Sequence, residues 1–295
     1  MVYNGYIGCD NMSKCALVLE GGGLRAIYVA GVLDVLMLNN IYVDGVFGTS
    51  AGALFGVNYK SKQIGRVIRY NRKYITNGNY MGVKSWIKTG DFMNKDFCFN
   101  KLVNELDPFD FDEFKKSDME FVACSFDCKT GKPAYFDITD IKDEKQSEML
   151  RSSGSLPCLS KLVPIDDSYY LDGGVIDSIP VKEAIRRGYD KIIVVCTRPE
   201  EYRKEKKNYG YMKLWYRKYP KIYEAMSNRH NNYNENVEFI LEEEKKGNLF
   251  VMRPSELIKV GRLDKNVEHI NDMYNLGIKD TENRLKDIKK YIGIK

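Results

Sequence analysis

Two short stretches of this sequence have residue types and a spacing that could do chemistry. Ser50 lies within Gly48-Thr49-Ser50-Ala51-Gly52, which has the Gly-x-Ser-x-Gly spacing. That spacing is typical of a sharp strand-to-helix turn that presents a serine hydroxyl as a nucleophile. The other stretch is Gly21-Gly22-Gly23, where backbone N–H groups can approach an anion closely. Together they predict a nucleophile beside an oxyanion hole.

The elements around these two stretches would bring them together. An apolar run, Ala16 to Leu19, ends at the three glycines, and apolar residues then recur at spacings of three and four from Leu24 to Val35. A second apolar run, Val43 to Phe47, leads into the serine turn. This pattern predicts a strand, a loop, a helix and a second strand. Because such crossovers make parallel neighbouring strands, both turns should open at the same edge of one sheet.

A nucleotide-binding loop is the alternative interpretation of the glycines. The run from Gly21 to Ala26 fits the pattern G-x-G-x-x-G/A between a strand and a helix. That fingerprint also requires an acidic residue at the end of the second strand. Asp44 has about the right spacing but lies at the start of that strand, which ends at Ser50 instead. Nucleotide binding would therefore leave the serine turn unexplained.

Four blocks in this order resemble the patatin-like phospholipases. The first two are Gly-Gly-Gly-Leu-Arg and Gly-Thr-Ser-Ala-Gly; the others are Ser152 to Pro157 and Asp172-Gly173-Gly174. The resemblance covers Cys15 to Pro199. It implies a three-layer α/β/α fold with a central, mostly parallel sheet, and a lipid acyl hydrolase. Two small departures are Ala26, where the family often has glycine, and Ser152, where alanine is usual.

The resemblance also implies roles for residues of this chain. Ser50 and Asp172 would form a catalytic Ser-Asp dyad. The oxyanion hole would be built from Gly21, Gly22, Gly23, Arg25 and Ala51, with Arg25 bracing the loop or pairing with a substrate headgroup. The expected activity is hydrolysis of carboxylic ester bonds of lipids, of the phospholipase A, lysophospholipase or esterase type, through an acyl-enzyme.

The residues alone leave open which side chain is the base that would activate Ser50. Histidine is the usual base, and the two histidines, His230 and His269, follow Ser50 and Asp172 in the chain order of an α/β-hydrolase triad. However, His230 lies in an Asn-rich run and His269 within an amphipathic helical pattern. We expect Asp172 to be the base, because an apolar cleft would raise its basicity. A triad esterase and a non-catalytic lipid- or nucleotide-binding module are the alternatives.

The whole chain fits one large domain. Its 295 residues, 43% of them hydrophobic, can form a core over about 15–199 followed by a mainly helical extension over about 200–295. The patterns predict further elements: a hairpin of Phe121–Asp127 and Lys132–Ile138, loop and short helix over Leu102–Phe114, a helix over Val181–Arg187, strands over Ser168–Leu171, Lys191–Cys196 and Leu249–Met252, and helices near Glu235–Lys246 and Asp264–Tyr291.

Composition limits the location and the cofactors. No stretch approaches 18 apolar residues, and Met1 to Lys14 lacks the features of a signal peptide. Seven cysteines, an odd number without a disulfide framework, favour a reducing cytoplasm. Cys124 and Cys128 lack the second pair that a zinc site needs. We therefore expect a cytoplasmic protein that needs neither a metal nor another cofactor.

One basic, aromatic stretch stands out from the modest net charge of +5. Tyr202 to Lys221 reads YRKEKKNYGYMKLWYRKYPK. A solvated face explains it most simply. Since Tyr and Trp favour the membrane interface and Lys and Arg favour phosphates, peripheral contact with an anionic inner-membrane surface is the functional alternative. We expect a lipid or ester substrate and no nucleic acid, because no nucleic-acid motif accompanies the basic residues.

Overall fold

A computed structural model describes residues 13–257 and 260–294. Most of Met1–Lys14, where a signal peptide was not expected, lies outside these residues. Eight strands form one sheet: β1 Cys15–Leu19, β2 Gly45–Thr49, β3 Glu120–Asp127, β4 Pro133–Asp137, β5 Val163–Ile165, β6 Ser168–Asp172, β7 Lys191–Val195 and β8 Leu249–Met252. The strand order is β5-β6-β3-β2-β1-β7-β8, and β4 also pairs with β3.

The centre of this sheet is parallel and one edge is antiparallel. Strands β3, β2, β1, β7 and β8 run parallel, whereas β4 and β6 pair with β3, and β5 with β6, in antiparallel fashion. The predicted parallel pairing of β1 and β2 is confirmed, with Val18 opposite Phe47. The predicted hairpin of β3 and β4 is confirmed as well. The glycine loop follows β1 and the serine turn follows β2. Because these neighbouring strands are parallel, both turns lie at the carboxyl ends of the strands, on the same side of the sheet.

Ten α-helices are seen in the described residues: α1 Ile27–Leu38, α2 Ala51–Lys60, α3 Arg66–Tyr74, α4 Val83–Thr89, α5 Phe111–Lys116, α6 Glu144–Ser153, α7 Val181–Arg186, α8 Met212–Trp215, α9 Pro220–Lys245 and α10 Val267–Tyr291. Side chains of β1 alternate between two cores, Leu17 and Leu19 facing one and Ala16 and Val18 the other. Helices α1 and α2 cover the first face, and α7 covers the second. The predicted three-layer α/β/α fold is confirmed.

Helix α1 is buried on every side because α10 covers its outer face. Each residue from Ile27 to Met37 is buried. A Cβ on Gly31 would lie 2.3 Å from the Tyr274 carbonyl oxygen, and one on Gly277 would lie 2.3 Å from the Tyr28 carbonyl oxygen. The two helices therefore pack backbone to backbone, which only glycine permits at these positions.

The structure differs from the predicted elements at four places. The segment Phe97–Leu106 forms a π-helix, so Leu102–Phe114 is more helical than predicted. The helix predicted near Glu235–Lys246 begins already at Pro220, because burial of side chains such as Ile222 and Tyr233 overrides the weak helix propensity of its asparagines. Strand β5 was not predicted, since it contains Pro164 and is only three residues long. Strand β8, placed in the extension, pairs with β7 as part of the main sheet.

Candidate active site

The serine turn holds Ser50 in a strained backbone conformation. Ser50 has φ +55° and ψ −128°, between the end of β2 and the start of α2. Such a conformation costs about 1–3 kcal/mol in a residue other than glycine. Neighbouring glycines permit the turn: a Cβ on Gly48 would lie 2.6 Å from the Ala53 nitrogen, and one on Gly52 would lie 2.4 Å from the Leu19 carbonyl oxygen. The G-x-S-x-G spacing thus has a steric cause.

A second serine holds the turn in place. The Ser50 backbone N–H donates to Ser153 Oγ over 2.9 Å, and Ser153 Oγ donates to the Cys124 carbonyl oxygen over 2.6 Å. Ser153 ends α6 and is fully buried. It lies in the Ser152–Pro157 block, but its spacing alone does not reveal that it supports Ser50. The block therefore acts on the turn through this hydroxyl.

The structure brings Ser50 and Asp172 into direct contact. Ser50 Oγ donates to Asp172 Oδ2 over 2.5 Å, and the Gly174 N–H donates to Asp172 Oδ1 over 2.7 Å. Asp172 is the last residue of β6 and is 2% exposed. Burial raises the pKa of Asp172 above its ordinary value, although the Ser50 and Gly174 hydrogen bonds and the charges of Arg229 and Arg262 act in the opposite direction. The carboxylate is therefore more basic than an exposed aspartate.

The glycine loop passes directly over Ser50. A Cβ on Gly21 would lie 3.0 Å from Ser50 Cβ. The Gly21 N–H donates to the Ser178 carbonyl oxygen, and the Leu24 N–H donates to the Arg262 carbonyl oxygen. Within residues 13–257 and 260–294, the N–H groups of Gly22 and Gly23 have no hydrogen-bond acceptor. The loop is thus anchored at both ends, with two unoccupied N–H groups between the anchors.

The other two residues predicted for the oxyanion hole, Ala51 and Arg25, are placed differently relative to Ser50. Ala51 is the first residue of α2, so its N–H has no partner within the helix. Arg25 lies within a short 3-10 turn, and its buried side chain lines a separate polar cavity rather than the space at Ser50.

An apolar cavity of about 50 Å³ adjoins Ser50. Its lining includes Leu54, Phe55, Tyr80 and Met93, and these four side chains also line a second apolar cavity of about 80 Å³. Four side chains therefore separate two small apolar spaces. The first of these spaces could take the acyl part of an ester.

In the described residues, neither histidine is hydrogen-bonded to Ser50 or Asp172. His269 lies in α10, and its Nδ1 is 2.9 Å from Asp264 Oδ2. His230 lies in α9. Over the described parts of the chain, the hydrogen-bond partners of Ser50 and Asp172 include no histidine. The geometry at Ser50 therefore offers a carboxylate and no imidazole.

Arg229 lies close to Asp172, but no sequence pattern predicted that it belongs to the site. Arg229 lies in the Asn-rich part of α9, which looked like a polar surface. Its Nε donates to the carbonyl oxygen of Gly174, two residues beyond Asp172. Only the folding of α9 against the sheet brings it there.

Two family models match this sequence. The sequence model described as "Patatin-like phospholipase" matches residues 17–185, and a "Domain of unknown function (DUF6363)" matches residues 219–293. The uncharacterized protein YjjU of Escherichia coli K12 is 26% identical over 271 residues, covering 90% of this chain and 75% of YjjU. Lysophospholipase NTE1 of Meyerozyma guilliermondii is 28% identical over 185 residues, covering 61% of this chain but 12% of NTE1.

A viral protein and a solved structure are also similar. The probable lipid hydrolase 463L of Invertebrate iridescent virus 6 is 21% identical over 182 residues, covering 58% of this chain and 63% of that protein. The crystal structure of VipD from Legionella pneumophila matches with a TM-score of 0.45 and 12% identity, covering 95% of this chain and 68% of VipD. Since the family model spans more than half of the sequence, the chain belongs to the patatin-like phospholipase family, a family of lipid acyl hydrolases.

Proposed function

We propose that this protein is a serine hydrolase that cleaves carboxylic ester bonds of lipids through a Ser50–Asp172 dyad, as a phospholipase A or lysophospholipase does. The observation that carries the proposal is the 2.5 Å hydrogen bond from Ser50 Oγ to Asp172 Oδ2. It joins a hydroxyl on a strained turn to a buried carboxylate of raised basicity. Nucleophile and base in direct contact are what acyl transfer requires.

The proposed mechanism has two stages. Ser50 Oγ attacks the ester carbonyl carbon while its proton passes to Asp172. The tetrahedral oxyanion accepts hydrogen bonds from Gly22, Gly23 and Ala51. When the carbon–oxygen bond to the alcohol breaks, Asp172 returns the proton to the leaving alcohol. Water then attacks the acyl-enzyme by the same route, and the fatty acid leaves.

This oxyanion hole contains fewer residues than the one expected from the sequence. The Gly21 N–H is occupied by the Ser178 carbonyl oxygen, so it cannot also bind a substrate oxygen. The N–H groups of Gly22 and Gly23 are unoccupied in the described structure. We therefore assign Gly21 to positioning the loop, and the backbone donors to Gly22, Gly23 and Ala51.

The test is a panel of p-nitrophenyl esters and phospholipids with wild type, Ser50→Ala and Asp172→Asn. Both variants should lose hydrolysis and keep the far-UV circular dichroism of the wild type. A fluorophosphonate probe should label the wild type and not Ser50→Ala. If Ser50→Ala keeps more than a tenth of the activity, the nucleophile lies elsewhere. Lipid binding without labelling or turnover would favour the non-catalytic module.

We further propose that the protein contacts anionic membranes through α4 and α8. Exposed apolar side chains are concentrated there, including Ile87 at 74% and Leu214 at 79% exposure. A groove lined by Trp86, Trp215 and Ser160 lies between these helices, and Ser160 also lines the cavity at Ser50. The exposed Lys84, Lys88, Lys213, Arg217 and Lys218 surround this surface. Apolar side chains within a basic rim suit an anionic lipid surface.

This arrangement changes which part of Tyr202–Lys221 is involved. Lys204 stacks on the Tyr233 ring at 3.8 Å and lines an interior cavity, so it does not belong to the surface. Changing Lys213, Arg217 and Lys218 to Ser should weaken co-sedimentation with anionic vesicles at low salt, at about 1 kcal/mol per residue. Hydrolysis of a soluble short-chain ester should not change. Equal vesicle binding by variant and wild type would leave α8 a solvated face.

In the parts of the chain that the structure describes, no helix combines the length and apolar character that a membrane crossing requires.

A further inference from the structure

A cavity of about 600 Å³ lies behind the glycine loop, apart from the apolar space at Ser50. Seven cationic residues line it: Arg25, Arg198, Arg203, Lys204, Lys207, Arg229 and Arg262. They come from the glycine loop, the segment after β7, α9 and the segment before α10. Residues distant in the sequence thus converge as positive charges on one enclosed space.

Two of these cations are accounted for, because Arg203 pairs with Glu238 and Lys207 is exposed to solvent. In the described residues, the other five have no carboxylate partner. Across residues 13–257 and 260–294, none of the five takes part in a salt bridge. The acid in the interior, Glu20, already accepts hydrogen bonds from the Thr197 N–H and the Tyr233 hydroxyl. The other acids, Glu201 and Glu205, are exposed at the rim. The cavity therefore carries an excess of positive charge.

Among the described residues, two of the guanidinium groups have donors without acceptors. Arg25 is 9% exposed, and its Nε has no hydrogen-bond partner. The Nε of Arg198 is likewise buried and unpaired, while its guanidinium stacks on the Tyr202 ring. An unpaired buried donor is unfavourable, and more so when it is charged. A bound anion would satisfy these donors.

The charges also disfavour one another. Burial and the neighbouring Arg229, Arg262 and Arg25 lower the pKa of Lys204 to about 6, although Glu20 acts in the opposite direction. Burial and the charges of Arg198 and Arg262 lower the pKa of Arg25 to about 10. Like charges enclosed together at this density are unfavourable unless a negative group lies between them.

The cavity adjoins the proposed catalytic residues. Arg262 lines both this cavity and the apolar cavity at Ser50. Gly21 forms part of the wall, and a Cβ there would lie 3.0 Å from Ser50 Cβ. Arg229 donates to the Gly174 carbonyl oxygen beside Asp172. The ester position and the basic cavity are therefore separated by little more than the glycine loop.

We propose that this cavity binds a phosphate group, and that in turnover this is the phosphate of the headgroup of a phospholipid or lysophospholipid whose ester lies at Ser50. The inference rests on the proposed function and adds to it the residues that would bind the phosphate of the substrate. Several guanidinium forks around one space match a tetrahedral phosphate, whose oxygens accept several hydrogen bonds at once. The acyl chain would occupy the apolar side of the loop and the headgroup the basic side.

The substrate test compares two lipids with the same acyl chain. A lysophospholipid carries the phosphate, and a monoacylglycerol does not. Wild type should prefer the lysophospholipid in kcat/KM. The variant Arg198→Gln/Lys204→Met should lose at least about tenfold of kcat/KM on the lysophospholipid, the value of one charge-assisted hydrogen bond. Its kcat/KM on the monoacylglycerol should be unchanged.

The matched control is Lys206→Met/Arg72→Gln, which removes the same two charges from exposed positions outside the cavity and outside α4 and α8. It should retain the preference for the phosphate-bearing lipid. The cavity variant should fold at least as stably as the wild type, since the charges it removes repel their neighbours. A thermal melt of both variants checks this.

A second arm uses inorganic phosphate without any lipid. Phosphate should raise the Tm of the wild type and not that of the cavity variant. A Tm shift without any lipid preference would assign the cavity to free phosphate. Equal kcat/KM on both lipids together with no phosphate effect on Tm would overturn the proposal. Because the Tm arm needs no turnover, an inactive wild type would refute the hydrolase and leave this site testable.

Discussion

Replacing Ser153 by alanine removes the acceptor of the Ser50 backbone N–H without touching the Ser50 side chain. The site is fully buried, so no water replaces the lost hydroxyl. A buried N–H left unpaired costs about 1–3 kcal/mol. For a chain of this size, each kcal/mol lowers Tm by roughly 2–4 °C, so we expect a drop of about 2–12 °C.

Activity should fall further than stability alone explains. Ser50 has a positive φ, and the hydrogen bond to Ser153 opposes relaxation of that strain. Once released, Ser50 Oγ should move away from Asp172 Oδ2, and a displacement of about 1 Å can cost on the order of 10²-fold in rate. The measurement is kcat on a soluble ester, well below the Tm of the variant.

Ser152→Ala is the matched control. Ser152 is as buried as Ser153, but its Oγ contacts Ser125 Oγ and the Met149 carbonyl oxygen and not the serine turn. It should therefore lose a similar amount of stability and keep its kcat. Wild-type kcat in Ser153→Ala, or an equal loss in both variants, would refute the claim that Ser153 positions the nucleophile.

Three further predictions concern the base, the histidines and the acyl cavity. Asp172→Asn should lower kcat by about 10²–10⁴-fold. In the wild type, kcat/KM should fall as pH drops through a pKa above 3.8, the ordinary value for Asp172; an acid limb at or below that value contradicts the buried base. Since the raised pKa means that ionising Asp172 opposes folding, Asp172→Asn should raise Tm most at high pH. Changing His230 and His269 to Ala together should preserve esterase activity; a folded but inactive double variant would restore the triad. Met93→Ala should join the two apolar cavities and move the preference among p-nitrophenyl esters towards longer acyl chains, and an unchanged chain-length profile would count against that assignment.

The first part of the site was predictable because its signals are local. The strand, the glycines, α1 and the serine turn are adjacent in the sequence, and strict spacing there reflects close backbone contacts such as Gly52 against Leu19. Parallel pairing of β1 and β2 then follows from the crossover rule. Asp172 was predicted through the resemblance, since Asp-Gly-Gly alone is most often a turn.

The rest depends on contacts between distant segments. Arg229 reaches Gly174 because α9 packs beside the turn that follows β6. The Lys204 side chain points into the protein, where its ammonium group stacks on the Tyr233 ring. A pattern of charged and aromatic residues looks the same whether it faces solvent or lines a cavity. For this reason Tyr202–Lys221 was interpreted as one surface, whereas the structure divides it between an interior cavity and the exposed helix α8.

The burial of α1 under α10 has a consequence for synthesis of the protein. Residues 27–37 leave the ribosome long before Val267–Tyr291 is made, so a mostly apolar helix lacks the partner that covers it. Arg262, whose carbonyl oxygen anchors the glycine loop at Leu24, is also made late. We expect nascent chains that stop before α10 to be held by chaperones or to aggregate. Hydrolytic activity should then appear only after α10 has been synthesised, which keeps a lipid-cleaving enzyme inactive until its fold is closed.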